Sequence, residues 1–476
     1  MESVEQGYQG TEVPTMEIVA KENSVIILDH IKGTKIEKVV ENPMEIPKKL
    51  MEKWSPQLLN ELPEAFCVRY VEKKKLPFST APTDDRNLPD ISLGLYDDVI
   101  VFDHIEKQAN LSLDQKINAV HWVRLDHYSS VQEAFNDGIN KLDNLASKVF
   151  DIEPPRLSAG SVNLKTPHFD SASKLASSMR PEEYKDAIIK AKEHIVAGDI
   201  FQIVLSQRFE RRNFADPFEV YRALRVVNPS PYLSYIQARG CILAASSPEI
   251  LTRVKRTKNI SRPLAGTIRR GKTELEDKML EKELLADEKE CAEHIMLVDL
   301  ARNDIGKVSK AGTVKVERFM NVERYSHVMH ISSTITLICW DALEAELPLG
   351  IVTGAPKVKS MEIIDELEFT RRGPYSGGFG YVSFSGDMDI AIAKRTIVFP
   401  TVPGINGYKD VSYGHDDSNN IKPNLRREWL AHFQVGSGIV ADSDPDREQR
   451  ECENKAAGLA RGLHLAESTF VYDKLC

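Results

Sequence analysis

The chain is poor in cysteine pairs. Its six cysteines, Cys67, Cys241, Cys291, Cys339, Cys452 and Cys476, lie far apart with no CxxC among them. That spread excludes a disulfide framework and a zinc site and suits a reducing compartment. No apolar run approaches the ~18 residues of a membrane helix. Positive charge is in deficit: 62 Lys and Arg against 71 Asp and Glu leave a net charge of −9 and a pI near 5.8. A nucleic-acid partner, which usually needs a basic face, is therefore not expected. The basic runs Lys73-Lys74-Lys75 and Arg253-Val254-Lys255-Arg256 read as solvated loop faces. Also missing are a P-loop, a dinucleotide fingerprint after a strand, a GxSxG elbow and a GxCxGxQ glutaminase nucleophile. There is no internal repeat or low-complexity tract. The opening residues Met1 to Gln6 are acidic and polar, so they read as neither signal nor transit peptide.

What is present is an ordinary globular composition, 42% hydrophobic, in 476 residues. At ~100–200 residues per domain this allows one large or two to three ordinary domains. Residues 15–30 read as two strands with a polar turn at 21–24, a strand cluster covers 93–102, and 130–151 patterns as an amphipathic helix. A Pro- and Ser-rich tract, 152–178, reads as a linker. It separates an N-terminal domain, 1–151, from a larger one, 179–468. In the latter, helix 181–196 stops at Gly198. Long strands and a few long helices follow: helix 275–304, strands 326–337, 389–399 and 429–441, helices 356–367 and 446–467. Strands that meet mostly through turns indicate α+β with antiparallel sheets.

Within this frame one stretch, Asp287 to Asp304, places Glu290 and Glu293 at i, i+3 on one helix face before an apolar run. Glu448 and Glu451 repeat the spacing near the C-terminus. Such pairs also decorate solvated helices. Brought together, the four carboxylates would offer the oxygen ligands a hard ion such as Mg²⁺ prefers. His330 sits at the centre of the polar face of strand 326–337, a position equally open to a structural histidine. Gly266-Thr267 permits close backbone approach to a carboxylate, or an ordinary turn. Thr353-Gly354-Ala355-Pro356 suits a helix start with free N–H groups. Tyr375 to Gly380 and Gln434 to Gly438 bring small residues beside strands. Arg395, a cation in an apolar strand, calls for an anionic partner.

Taken in order, Gly198 to Gln207, Ser247-Pro248-Glu249, Pro263 to Thr267, the 287–304 stretch, Gly354 to Lys357 and Glu448 to Lys455 resemble the chorismate-utilising enzymes. Among these, the similarity is to the large subunits of plant anthranilate synthases. It covers nearly the whole chain. The resemblance implies large antiparallel sheets packed as a sandwich with helices outside, preceded by a smaller N-terminal α/β subdomain. It implies Mg²⁺-dependent amination of chorismate, with loss of the C4 hydroxyl and then of pyruvate, to give anthranilate for tryptophan biosynthesis. By position, Glu293, Glu451 and Glu448 would hold the metal, with Glu290 completing the acidic cage. His330 would be the acid for the departing hydroxyl. Gly266, Thr267, Tyr375, Arg395, Gly436, Ser437 and Gly438 would hold chorismate. Gln202 stands where water-using relatives carry a lysine base, and Ala265 where aminodeoxychorismate-forming relatives carry a lysine. Both favour ammonia as nucleophile and anthranilate as product; an aminodeoxychorismate-forming enzyme is the alternative. Ser3, Pro231, Tyr232 and Leu233 resemble the family's tryptophan feedback site. The resemblance further implies a glutamine amidotransferase beta subunit as ammonia source in a heterotetramer, and the chloroplast stroma as location.

The chain departs from the family pattern in three places. It starts at Glu2-Ser3, where relatives carry a leader and further elements. It lacks a Gly- and aromatic-rich segment between Cys67 and Val68 that usually supplies a core strand. It also lacks a Gly-Glu-Leu step after Thr336. The Asn406–Asn424 loop is longer and more polar. The expectation is one cleft with impaired stability and feedback, or a silent paralogue that only binds a partner or tryptophan.

Overall fold

A computed structural model describes residues 2–3, 6–9, 14–52, 66–71, 82–103, 116–150, 175–255, 258–261, 263–306, 315–324, 328–337, 342–384, 387–401 and 428–470. Among these, the strands form two antiparallel sheets, of eleven and twelve strands. In the first, Gln202–Asn213 pairs along its whole length with Trp429–Ile439; Thr396–Pro400, Cys241–Ser247 and Tyr232–Ala238 follow, then Glu2–Ser3 and Gln6–Gln9. In the second, Leu264–Arg269 and Val328–Leu337 lie at one end and Met16–Lys21 and its neighbours towards the other.

Period-2 patterning explains the layering. Ile203, Leu205 and Phe209 point from one face of their strand into a core shared with helices Pro181–Ala197, Pro217–Val227 and Pro445–Phe470, which contribute Tyr184, Ile188, Leu224, Leu459 and Leu463. Between the sheets, Ile236, Leu243 and Val398 of the first meet Phe379 and Ala391 of the second. The arrangement is the expected sandwich of antiparallel sheets with helices outside. Strands from residues 1–151 and from 179–468 take part in both sheets. The proposed linker, 152–178, lies mostly outside the described residues, as do Ala265 and Thr267 side chains and the Asn406–Asn424 loop.

Three expectations need correction. The helix expected over 275–304 is two, Glu274–Ala286 and Glu288–Gly306. Asp287 breaks it because its carboxylate accepts the N–H groups of Lys289 and Glu290, at 3.0 and 3.1 Å, as a helix N-cap does. The strand expected over 389–399 is also two, Met388–Ile392 in the second sheet and Thr396–Pro400 in the first. Arg395, with φ +49°, turns the chain between them, so it occupies a crossover and not a strand interior. Finally, among the described residues the chain at Cys67 is paired on both sides: Phe66–Val71 runs between Gly378–Val382 and Ile91–Leu95, with register shifts on both sides.

Candidate active site

The two acidic pairs lie on neighbouring helices. Burial is the main force raising the Glu290 and Glu293 carboxyls above their ordinary value; Asp287 adds to it at Glu290, Glu290 adds to it at Glu293, and Glu451 of the C-terminal helix raises both. Glu448 is raised by burial and then by Glu451, against hydrogen bonds from Ser443 and Ser437. Four carboxylates that feel one another across two helices make a cation-seeking patch. Lys289 Nζ stands 3.6 Å from Asp442 Oδ2, tying the helix to the turn before the C-terminal helix. Among the described residues no group of three His, Cys, Asp or Glu side chains could hold a metal ion as placed. The glutamates are an open acidic cluster and not a closed cage. Lys455 Nζ supplies the nearby positive charge, 2.6 Å from Glu451 Oε1, and also donates to the Gly436 carbonyl at 2.8 Å.

That lysine joins the acidic helix to the glycine strand. A Cβ on Gly436 would come within 2.6 Å of the Leu205 carbonyl oxygen and 2.9 Å of Tyr375 Oη; one on Gly438 would meet only Gln202 Nε2, at 3.7 Å. Gln202, Gly436, Gly438 and Tyr375 therefore converge. Gln202 is 3% exposed and its Oε1 has no hydrogen-bond partner. Tyr375 is buried below the Arg372 guanidinium, 5.7 Å from its ring centroid, and burial pushes its phenol up. The Ser437 hydroxyl, 3.0 Å from Tyr184 Oη, also hydrogen-bonds the Glu448 carboxyl, so it joins the helical core to the acidic cluster.

His330 lies in the second sheet. Its strand pairs with Leu264–Arg269 through a bulge at Gly266, whose φ of +66° suits glycine and turns the carbonyl towards the ring. His330 Nδ1 is 2.9 Å from that oxygen. A carbonyl only accepts, so Nδ1 carries the proton. Burial lowers the His330 pKa most, the Gly266 bond raises it, Arg395 and Lys394 lower it, and Glu249 raises it. Arg395, half-buried and with its own pKa lowered by burial, has no carboxylate within ion-pair distance among the described residues. Lys394 takes the one nearby, Nζ to Glu249 Oε2 at 2.6 Å.

The residues expected to form a tryptophan site are brought together in the first sheet: Ser3 pairs with Tyr232 and Glu2 with Leu233, just after Pro231. Sequence reasoning left Glu249, Lys394 and Lys455 without roles. The Ser-Pro-Glu, Lys-Arg and Asn-Lys motifs that carry them were visible, but their pairings are not sequence-local.

The profile of chorismate binding enzymes matches residues 8–404. The chain is 62% identical to the chloroplastic anthranilate synthase alpha subunit 1 of Arabidopsis thaliana, covering 99% of this chain and 81% of that one. It is 60% identical to its counterpart from Oryza sativa subsp. indica, covering 99% and 83%. The Arabidopsis alignment runs over 498 positions, so it crosses stretches with no counterpart in this chain. Among solved structures, anthranilate synthase component I from Streptococcus pneumoniae TIGR4 is similar at 30% identity with a TM-score of 0.74, covering 97% of this chain and 93% of that one. The menaquinone-specific isochorismate synthase of Escherichia coli, 16% identical with a TM-score of 0.61 over 97% and 96%, shares the fold.

Proposed function

The chain belongs to the chorismate binding enzymes, among the anthranilate synthase alpha subunits, and from that premise we propose that it converts chorismate and ammonia to anthranilate and pyruvate. The observation that supports the reading is that the two acidic helices lie within each other's field and that Lys455 joins Glu451 to the Gly436 carbonyl.

Chorismate is a dianion. Arg395, without an ion-pair partner among the described residues, is the group that takes one carboxylate, helped by backbone N–H groups at Gly436 and Gly438. The four glutamates fit Mg²⁺ in chemistry, all being carboxylate oxygen donors. Glu293, Glu448 and Glu451 would bind it, with Glu290 alongside, and the bound ion would offset the charge of the second carboxylate. Lys455 holds Glu451 in the meantime. His330 begins neutral, with its proton on Nδ1. An arriving dianion would offset the Arg395 field, a lesser cause than burial of the lowered His330 pKa, and His330 would be the acid for the departing C4 hydroxyl. Glu249 and Lys394 keep this wall charged and ordered. Gln202 has no basic group to deprotonate water, which supports ammonia as the attacking species.

A glutamine amidotransferase beta subunit in a heterotetramer, a tryptophan site at Ser3, Pro231, Tyr232 and Leu233, and a chloroplast stroma location all belong to this reading. The relatives' chloroplastic names support the chloroplast. The test incubates the purified chain with chorismate, Mg²⁺ and high ammonium, and follows anthranilate fluorescence. Aminodeoxychorismate in the mass spectrum, or no turnover from a folded preparation, refutes the proposal.

A further inference from the structure

One buried polar contact near the site has no part in the chemistry above. His294 follows Glu293 on helix Glu288–Gly306, is fully buried, and places Nε2 2.6 Å from Ser333 Oγ. Ser333, also fully buried, is on the strand that carries His330, three residues on. Its hydroxyl oxygen already accepts the Met320 N–H at 3.0 Å. Met320 has φ +53° in the irregular stretch of Lys315–Arg324, where the register shifts against the His330 strand.

Hydrogen-bond economy assigns the protons. A serine hydroxyl has one proton to give, and among the described residues His294 Nε2 is the only acceptor recorded at Ser333. Ser333 therefore donates to Nε2, and the neutral imidazole carries its proton on Nδ1, for which no hydrogen-bond partner is recorded. The same helix buries Leu297 and Val298, and apolar burial resists separation but tolerates sliding. The Ser333 bond fixes one register.

We propose that His294 is a positioning residue: through Ser333 it locks the helix bearing Glu290 and Glu293 to the strand bearing His330, and so sets where the acidic side chains stand relative to the acid. This rests on the proposed function for its metal, though the contact itself does not. Glu293 is the neighbouring residue, so a small rotation of the helix is transmitted to its carboxylate. Groups that orient metal ligands without touching the ion typically change affinity by about 10–100-fold when removed.

The experiment compares His294→Leu, Ser333→Ala, the double variant and His294→Gln, whose Oε1 can reach the place of Nε2 and accept from Ser333. Each is titrated with Mn²⁺ by electron paramagnetic resonance without chorismate, and with Mg²⁺ in the ammonia-dependent assay, beside a thermal melt. Positioning predicts that His294→Leu and Ser333→Ala each weaken Mn²⁺ binding and raise the Mg²⁺ half-saturation at least about tenfold. It predicts a smaller fall in kcat at saturating Mg²⁺, a double variant no worse than either single one, and recovery in His294→Gln. A lower melting temperature with unchanged metal half-saturation overturns the proposal, because then the contact only stabilises the fold. So do additive effects in the double variant. A wild-type chain that binds Mn²⁺ but makes no anthranilate sinks the proposed function alone; the Mn²⁺ comparison still decides this inference.

Discussion

Adding one methyl group at Gly436 or at Gly438 separates folding from binding, because the two positions share a strand face and differ in surroundings. At Gly436 the new Cβ would lie 2.6 Å from the Leu205 carbonyl oxygen, 2.9 Å from Tyr375 Oη and 3.1 Å from Ser206 Cβ. The carbonyl belongs to the ladder in which Leu205 faces Ser437, so it cannot yield without disturbing the sheet. Overpacking of this kind costs about 1–3 kcal/mol. At Gly438 the nearest atom is Gln202 Nε2 at 3.7 Å, an ordinary contact, and the residue is exposed. Folding should be unchanged, or gain about 0.4–1 kcal/mol from a less flexible unfolded chain. The methyl does, however, occupy the space where a chorismate carboxylate would reach the strand's N–H groups. Losing one charge-assisted hydrogen bond costs about 1.5–3 kcal/mol, which corresponds to a KM for chorismate roughly ten- to a hundred-fold higher. Steady-state anthranilate fluorescence against chorismate concentration, with thermal melts of both variants, reads the two effects apart. A Gly438→Ala enzyme with normal melting and a normal KM refutes the placement of chorismate on this strand.

Further outcomes follow from the same geometry. Glu451→Ala should abolish Mg²⁺-dependent turnover, and retained turnover would remove that residue from the metal site. Glu290, Glu293 and Glu448 all have carboxyls raised above 4.5, so the folded, metal-free chain holds protons that the unfolded chain has already released. The resulting destabilisation is complete above the raised values and fades as pH falls towards 4.5. Metal-free Glu293→Gln should therefore melt higher than wild type at pH 7 while losing activity, with the difference shrinking in acid; a lower melting point at pH 7 contradicts the repulsion. Arg372 donates to both oxygens of the buried Glu368, with Nε at 2.9 Å from Oε2, and to the Val352 carbonyl at 2.7 Å. Arg372→Ala leaves that carboxylate unpaired and should cost about 3–5 kcal/mol, read by urea unfolding; an unshifted midpoint would count against it. Arg395→Lys keeps the charge but loses the forked donor, so the KM for chorismate should rise while melting stays put; unchanged KM would place the carboxylate elsewhere.

The legible parts of this protein were those written in local pattern. Alternating residues announced the strand over 326–337, observed as Val328–Leu337, and Gly198, at φ +84°, ended its helix where a glycine stop was read. The spacing of Glu290 with Glu293 and of Glu448 with Glu451 suggested a shared task, and the two pairs do stand within each other's field. Legibility failed where one residue redirected the chain. Asp287 reads as helical until its carboxylate is seen capping the next helix, and Arg395 reads as strand until its left-handed φ is known. The Lys394–Glu249 and Lys455–Gly436 contacts join residues 145 and 19 positions apart, and nothing in a local window predicts them.

The passage of the chain from one sheet to the other at Ala393–Arg395 has a bearing on how the protein matures. The guanidinium that would receive substrate stands at the seam, so it gains its final position only when both layers have found their partners and closed on each other. Partially assembled chains can own every helix and most of a ladder and still be blind to chorismate. Substrate affinity is thus a stricter gauge of complete assembly than any spectroscopic measure of helix or strand content.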